Sequence, residues 1–226
     1  MARSYLKEIE ARFVGSDAVM AADLMLREVG SSIVGRNSLV IGYGMIGKNV
    51  ARSLKSNDSL VSVYDKLDTR NLQAFTDGFA INKKAELLKT SDIVFLATGD
   101  PSGALSVDEM LETKNGVVLA SVGSKDTEFD LKGLKAQALD VKDYGSQISR
   151  YSTNHSRNIV VLKQGTAVNF FLPSIPVEVL DLVFSEIFLC AMRILKREGH
   201  GIGRVIEIEE RALQPIAHDW LRFVVS

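Results

Sequence analysis

The chain is poor in the features that announce several common kinds of protein. It has one cysteine, Cys190, among 226 residues, which excludes an internal disulfide framework and fits a reducing compartment, the cytoplasm. Cys190 lies in an apolar stretch and reads as a small core residue, not a nucleophile. An excess of charge of either sign is also lacking. The 27 basic and 28 acidic residues leave a formal net charge of −1, and no basic residues cluster with aromatics, so nucleic acid and membrane surfaces lose support as partners. Met1–Phe13 carries Arg3, Lys7, Glu8, Glu10 and Arg12 where a secretory signal would need an apolar centre. Metal-ligand spacing, a Gly-x-Ser-x-Gly elbow, internal repeats and low-complexity stretches are all missing, which argues against metal catalysis and serine hydrolysis.

What is present is organised around Ser38–Lys48, SLVIGYGMIGK. An apolar run, Leu39, Val40 and Ile41, enters Gly42-Tyr43-Gly44-Met45-Ile46-Gly47, and a helical pattern follows with Val50, Ala51 and Leu54 on one face. Strand, glycine turn and helix in that order suit a dinucleotide pyrophosphate. Gly42 permits the tight turn, Gly44 lets the backbone approach phosphate, and Gly47 lets the helix lie close to the strand. A second apolar run, Leu60–Tyr64, ends in Asp65, about twenty residues beyond the glycines, where a carboxylate can accept hydrogen bonds from ribose hydroxyls and repel a 2′-phosphate. NAD is therefore read in preference to NADP, with Lys66 and Arg70 nearby as the opposing signal.

The alternation continues along the chain. Helices are expected around Thr69–Thr76 and Lys83–Lys89, with a short extended piece at Phe79–Ile81 between them. Asp92–Ala97 reads as a buried strand ending at Thr98-Gly99-Asp100; Ser106–Glu109 has capping-box spacing, and Gly116–Val122 is a second buried strand ending at Gly123-Ser124-Lys125. Strands alternating with helices predict an α/β, Rossmann-like, doubly wound parallel sheet with ligands at the strands' carboxyl ends. Leu139–Tyr144, Ile148–Tyr151 and Ile159–Leu162 either extend this sheet or form an edge hairpin. Before it, Tyr5, Leu6, Ile9 and Phe13 mark an amphipathic helix that Gly15 and Ser16 should break, Ser16 or Asp17 capping a second helix to about Val29. After it, Val177 to about Lys196 is an apolar helix whose charges, Glu178, Asp181, Glu186, Arg193 and Lys196, are too frequent for a membrane span; it is buried or shared between subunits. Gly199, Gly201 and Gly203 form a joint before a last short helix ending near Trp220. The expected organisation is an N-terminal helical segment over 1–35, the dinucleotide-binding domain over 36–172 and a C-terminal helical segment over 173–226.

From about Gly15 to about Lys196 the sequence resembles the NAD-binding domain of S-adenosylhomocysteine hydrolase. The matching pieces are GYGMIGKNVA at Gly42–Ala51, LQAFTDGF at Leu72–Phe79, DIVFLATG at Asp92–Gly99, KNGVVLASVG at Lys114–Gly123, TEFDL at Thr127–Leu131 and IVVLKQGTAVNF at Ile159–Phe170. The resemblance implies an NAD site built from Gly42, Gly44, Met45, Ile46, Gly47, Asp65, Thr98, Gly99, Asp100, Val122, Gly123, Ser124 and Asn169. In that set Asp65 is on the adenosine ribose, Thr98 and Gly99 lie over the cofactor, Gly123 is beside the nicotinamide and Asn169 is on its carboxamide. Without the resemblance, an asparagine such as Asn169 would more commonly hold a loop through backbone hydrogen bonds. Two departures stand out: the family's histidine after the Gly123 position is Ser124 here, and its asparagine after the Gly99 position is Asp100. The family's separate substrate domain precedes its NAD domain, and almost nothing precedes Gly15 here, so adenosylhomocysteine hydrolysis by this chain alone is not expected.

Two functions stay open on the sequence. One is an NAD-dependent oxidoreductase acting by hydride transfer on a small polar substrate, in a pocket made by Gly123–Glu128, His155 and a second subunit or a partner protein. Lys125 is the local candidate for a cationic substrate contact and His155 for acid–base work, set against a solvated lysine and a solvated histidine in a polar turn. The other is a non-catalytic NAD-binding sensor or regulatory module. The long helix at Val177 and the amphipathic N-terminal helix suggest self-association, with a homodimer the expectation.

Overall fold

The computed structural model describes residues 4–100, 103–123, 128–154, 157–173, 175–196 and 207–225. Helix α1 (Tyr5–Glu28) leads into β1 (Asn37–Ile41), α2 (Met45–Ser56), β2 (Leu60–Tyr64), α3 (Asp68–Thr76), β3 (Ala80–Ile81), α4 (Lys84–Thr90), β4 (Ile93–Leu96), α5 (Val107–Leu111), β5 (Val117–Ser121) and α6 (Leu131–Gln137). Strands β6 (Ala138–Tyr144), β7 (Ile148–Thr153) and β8 (Asn158–Leu162) follow, then two 3-10 turns, Lys163–Gly165 and Val168–Phe171, and helices α7 (Val177–Leu195) and α8 (Glu210–Val224). The described residues divide into two units: 14–173, which holds the sheet, and 1–13 with 174–226.

The eight strands lie in the order β3-β2-β1-β4-β5-β8-β7-β6. From β3 across to β8 every pairing is parallel; β7 runs antiparallel to β8, and β6 antiparallel to β7. The three late extended segments thus do both things that the sequence allowed: β8 continues the parallel sheet, and β6 and β7 close it as an antiparallel edge. Alternation along each strand gives the sheet two buried faces. Leu39, Val94, Leu119 and Val161 point to one, where Leu88 of α4, Met110 of α5 and Leu134 of α6 meet them. Val40, Phe95 and Ala120 occupy the alternate positions and are buried as completely. Helix α2 buries Gly47, Val50, Ala51 and Leu54 and contacts β1 and β2. Helices therefore flank a mostly parallel α/β sheet, as the alternating pattern predicts.

One expectation is corrected. Gly15 and Ser16 do not break the first helix: α1 is continuous from Tyr5 to Glu28, and neither Ser16 nor Asp17 begins a new one. The reason is a close approach. A Cβ on Gly15 would lie 2.6 Å from Cβ of Asn49 and 2.8 Å from N of Val50 in α2, so this glycine serves helix packing and not termination.

In the other unit, Leu6, Leu182 and Leu213 form a small apolar core with Ile9, Leu189 and Trp220 against it. Trp220 Nε1 donates to the Glu178 carbonyl at 2.6 Å, and Ser4 Oγ donates to Glu186, which is buried, at 2.6 Å. Helix α7 is buried on one side only, through Val179, Leu182, Val183 and Glu186; Phe184, Phe188, Ile194 and Leu195 are exposed. Burial around its whole circumference, one of the two sequence readings, does not occur among the described residues.

Candidate functional site

Chain direction reverses across β1, since the path runs outward through β2 and β3 and then returns to β4 on β1's other side. The loops after β1 and β4 diverge there and leave a crevice at the strands' carboxyl ends. The three glycines of the first loop have separate duties in it. Gly42 has φ of 96°, and a Cβ there would lie 2.7 Å from the Ala97 carbonyl oxygen. A Cβ on Gly47 would lie 1.8 Å from the Gly42 carbonyl oxygen, so only glycine lets α2 start this close to β1. A Cβ on Gly44 would meet nothing within 4 Å. The space before Gly44 is open, as an approaching phosphate requires. No side chain caps α2 and no acid lies in its first turn, so its positive end is left for a ligand anion.

Tyr43, between the first two glycines, anchors the loop from behind. It is fully buried, its ring meets Phe79 edge-on at 5.9 Å, and its hydroxyl donates to Asp77 at 2.7 Å. Burial, with that bond to a carboxylate, pushes its hydroxyl above the usual tyrosine range. The Tyr43 N–H donates to Asp65 Oδ2 at 2.7 Å and the Leu67 N–H to Asp65 Oδ1 at 2.9 Å. Asn71 pairs with the Asp65 backbone on both sides, each bond 2.8 Å. The carboxylate is thus fixed by the loop it serves, and each oxygen keeps a lone pair for a further donor. A cavity of about 370 Å³ opens here, lined by Gly42, Gly44, Asp65, Lys66, Thr98 and Asp100 among others. Lys66 and Asp100 form an ion pair of 2.6 Å at this cavity; the hydrogen bond and charge of Asp100 hold the Lys66 ammonium above its usual range. Arg70 donates to the Tyr43 carbonyl at 3.4 Å.

The loops after β4 and β5 are joined by Glu128, the last residue of the segment that the sequence places at the substrate pocket, through contacts that the sequence pattern does not reveal. Glu128 is 2% exposed. Its Oε2 accepts from Thr98 Oγ1 at 2.7 Å and from the Thr98 N–H at 3.3 Å, and its Oε1 accepts from the Gly99 N–H at 2.8 Å. A Cβ on Gly123 would lie 2.3 Å from Glu128 Oε1. The sequence signals were the pocket segment ending at Glu128 and the TEFDL piece, which mark the position and say nothing of the contact.

Asn169 lies in the turn Val168–Phe171 and reaches the same end of the sheet because Ala167 makes a parallel bridge to Ser121, the last residue of β5. Asn169 is 3% exposed and its Oδ1 has no hydrogen-bond partner among the described residues, nor has Ser121 Oγ. An unpaired buried acceptor is costly, and a donor from water or a ligand would remove that cost. Val122 continues the β5 pairing through its N–H to the Leu96 carbonyl. Met45 and Ile46 form the half-buried start of α2. Ser124, Lys125 and His155 lie outside the described residues, as do His200 and the glycine joint; His218 is in α8. Among the described residues no group of three acids, histidines or cysteines could hold a metal, and no helix is long and apolar enough to cross a membrane.

Sheet order, glycine loop, uncapped helix and anchored acid define a Rossmann-type dinucleotide-binding protein. The family follows from the sequence match: the chain belongs to the family described as "S-adenosyl-L-homocysteine hydrolase, NAD binding domain", whose model matches residues 16–174, and its cofactor is NAD. The adenosylhomocysteinase of Saccharolobus solfataricus is 32% identical over 180 residues, covering 79% of this chain and 43% of that protein. The S-inosyl-L-homocysteine hydrolase of Methanocaldococcus jannaschii is 31% identical over 189 residues, covering 83% and 45%. The chain thus spans less than half the length of these relatives. Among solved structures, a dipicolinate synthase chain from Bacillus halodurans superposes with a TM-score of 0.50 at 18% identity over 57% of this chain and 45% of that one, a likeness of fold.

Proposed function

We propose that this chain is the cofactor-holding part of an NAD-dependent oxidoreductase that moves hydride to or from a small polar substrate. The observation that carries the reading is Asn169 Oδ1, buried beside the end of β5 and without a hydrogen-bond partner among the described residues. It suits the amino group of a carboxamide, and NAD's carboxamide is on the ring that exchanges hydride. The remaining roles follow the cradle. Gly42, Gly44 and Gly47, with the N–H groups of Met45 and Ile46, bind the pyrophosphate; Asp65 takes the adenosine ribose hydroxyls. Thr98 and Gly99, with Asp100, form the loop over the cofactor; Val122 and Gly123 lie beside the nicotinamide, with Ser124 a further candidate contact there. When bound, NAD supplies the hydride acceptor. The chain's own groups orient it, and Lys125 and His155 are the candidates for holding substrate and relaying a proton. Other substrate contacts come from a second subunit in a cytoplasmic homodimer or from a partner protein.

The test begins with calorimetric titration of NAD into the wild-type and Asn169→Leu proteins. Wild type should bind, and the variant should bind about tenfold more weakly, the scale of one lost hydrogen bond to a buried group. NAD reduction is then followed across 2-hydroxy acids, amino acids and nucleosides. Turnover on one class supports the oxidoreductase; inactivity throughout despite tight NAD binding turns the reading to a non-catalytic sensor or regulatory module.

A further inference from the structure

Glu128 is a buried acid for which the cofactor contacts proposed above have no use. Three hydrogen bonds converge on its carboxylate, two from backbone N–H groups and one from the Thr98 hydroxyl. Its own carbonyl accepts from the N–H groups of Ala104 at 2.7 Å and Leu105 at 3.1 Å. One residue therefore ties together the loop after β4, the loop after β5 at Gly123, and the segment leading to α5. An arrangement with three donors needs an acceptor at both oxygens, which an ionised carboxylate offers and an amide does not. These three partners are neutral. They spread the charge of the carboxylate without cancelling it, and burial leaves little water to screen it.

We propose that Glu128 is a positioning residue that presets the loops after β4 and β5, and whose negative charge makes the site favour the oxidised cofactor. The inference rests on the reading that the β5 end receives the nicotinamide. Oxidised nicotinamide carries a positive ring charge and the reduced ring carries none, so an anion at this end stabilises NAD+ relative to NADH. A role in scaffolding alone would weaken both forms alike. Only the charge separates them.

The experiment measures dissociation constants for NAD+ and NADH on the full chain by calorimetry. Wild type should bind NAD+ more tightly than NADH. Glu128→Gln, which keeps the size but loses one acceptor together with the charge, should weaken both forms, and NAD+ about tenfold more than NADH, the scale of one partly screened charge–charge interaction. Glu128→Asp, which keeps the charge on a shorter stem, should lose affinity for both forms while retaining the wild-type preference. Equal weakening of both forms in the glutamine variant would overturn the charge effect and leave Glu128 a scaffold. Wild type that binds NADH as tightly as NAD+ overturns the proposal without any variant, so a misfolded variant does not rescue it. Binding of neither form by wild type would instead sink the underlying NAD assignment.

Discussion

Gly44 and Gly47 stand in one loop and should respond to the same substitution in different ways. An alanine Cβ at 44 meets nothing, and φ there is −77°, so the fold should tolerate it. Gly44→Ala is expected to stay within about 1 kcal/mol of wild type, the usual cost of an unfavourable helix cap. It should nevertheless lose NAD affinity by at least about tenfold, because the methyl fills the space proposed for the phosphates. Gly47→Ala places a methyl 1.8 Å from the Gly42 carbonyl oxygen and must push α2 off β1; a loss of about 2–4 kcal/mol is expected, as for severe overpacking. Urea unfolding and NAD titration of both variants check the pair, and stability losses in the reverse order would contradict this division of labour. These glycines were legible from spacing alone, as was Asp65, because a local chain order dictates them. The contacts of Glu128 were not. Its partners lie about thirty residues away in sequence, and no local pattern encodes a hydrogen bond across two loops.

The same contrast holds for whole elements. Ser106–Glu109 announced a helix start, and α5 begins there with Ser106 Oγ accepting from the Glu109 N–H and Glu109 accepting from the Ser106 N–H. Here the signal is local, so sequence reading succeeds. Gly15 looked like a break by equally local reasoning, yet α1 runs through it, because the cost of about 1 kcal/mol for glycine in a helix is offset by packing against Asn49 and Val50 that no window of sequence reveals. The α5 start also carries a pH test. Partial burial alone would raise the Glu109 carboxyl, but bonds from Lys84 Nζ at 2.6 Å and the Ser106 N–H outweigh it, so the group sits below the usual glutamate range. A carboxyl lower in the folded than in the unfolded state contributes stability above its unfolded value and loses it as pH falls through its folded one. Glu109→Gln should therefore be less stable than wild type at pH 7, with the gap closing as pH falls below about 4.5. A gap that stays constant across urea titrations from pH 7 to pH 3 would show that the charge of Glu109 is not what stabilises α5. Asp92, drawn upward by burial but lowered further by Lys114 and the Asn37 N–H, should add to the same acid-side loss.

At the scale of the whole molecule, every described residue assigned to the cofactor belongs to the unit 14–173, whereas α7 and α8 belong to the other. The parallel sheet was readable because buried strands and amphipathic helices alternate with clear punctuation. What covers the exposed side of α7 was not readable, since hydrophobic periodicity reports that a face wants burial and not what will bury it. The division has a measurable consequence. A ligand that binds only the folded state stabilises it by about 2.7 kcal/mol at one hundred times its dissociation constant. Amides whose exchange requires opening of the sheet unit should then slow by about a hundredfold, 1.4 kcal/mol being a factor of ten. Saturating NAD should thus protect β1, β4, β5 and the first turn of α2, and the amides of Thr98 and Gly99, in hydrogen exchange followed by mass spectrometry. The free N–H groups of Met45 and Ile46 should respond most sharply, since they pass from solvent to a bound anion. Amides near the C-terminus of α8, where Leu221, Phe223 and Val225 are exposed, should change little because no proposed NAD contact lies there. Protection concentrated in α7 and α8, with the glycine loop unchanged, would mean that the dinucleotide binds elsewhere and that the open space before Gly44 has another purpose.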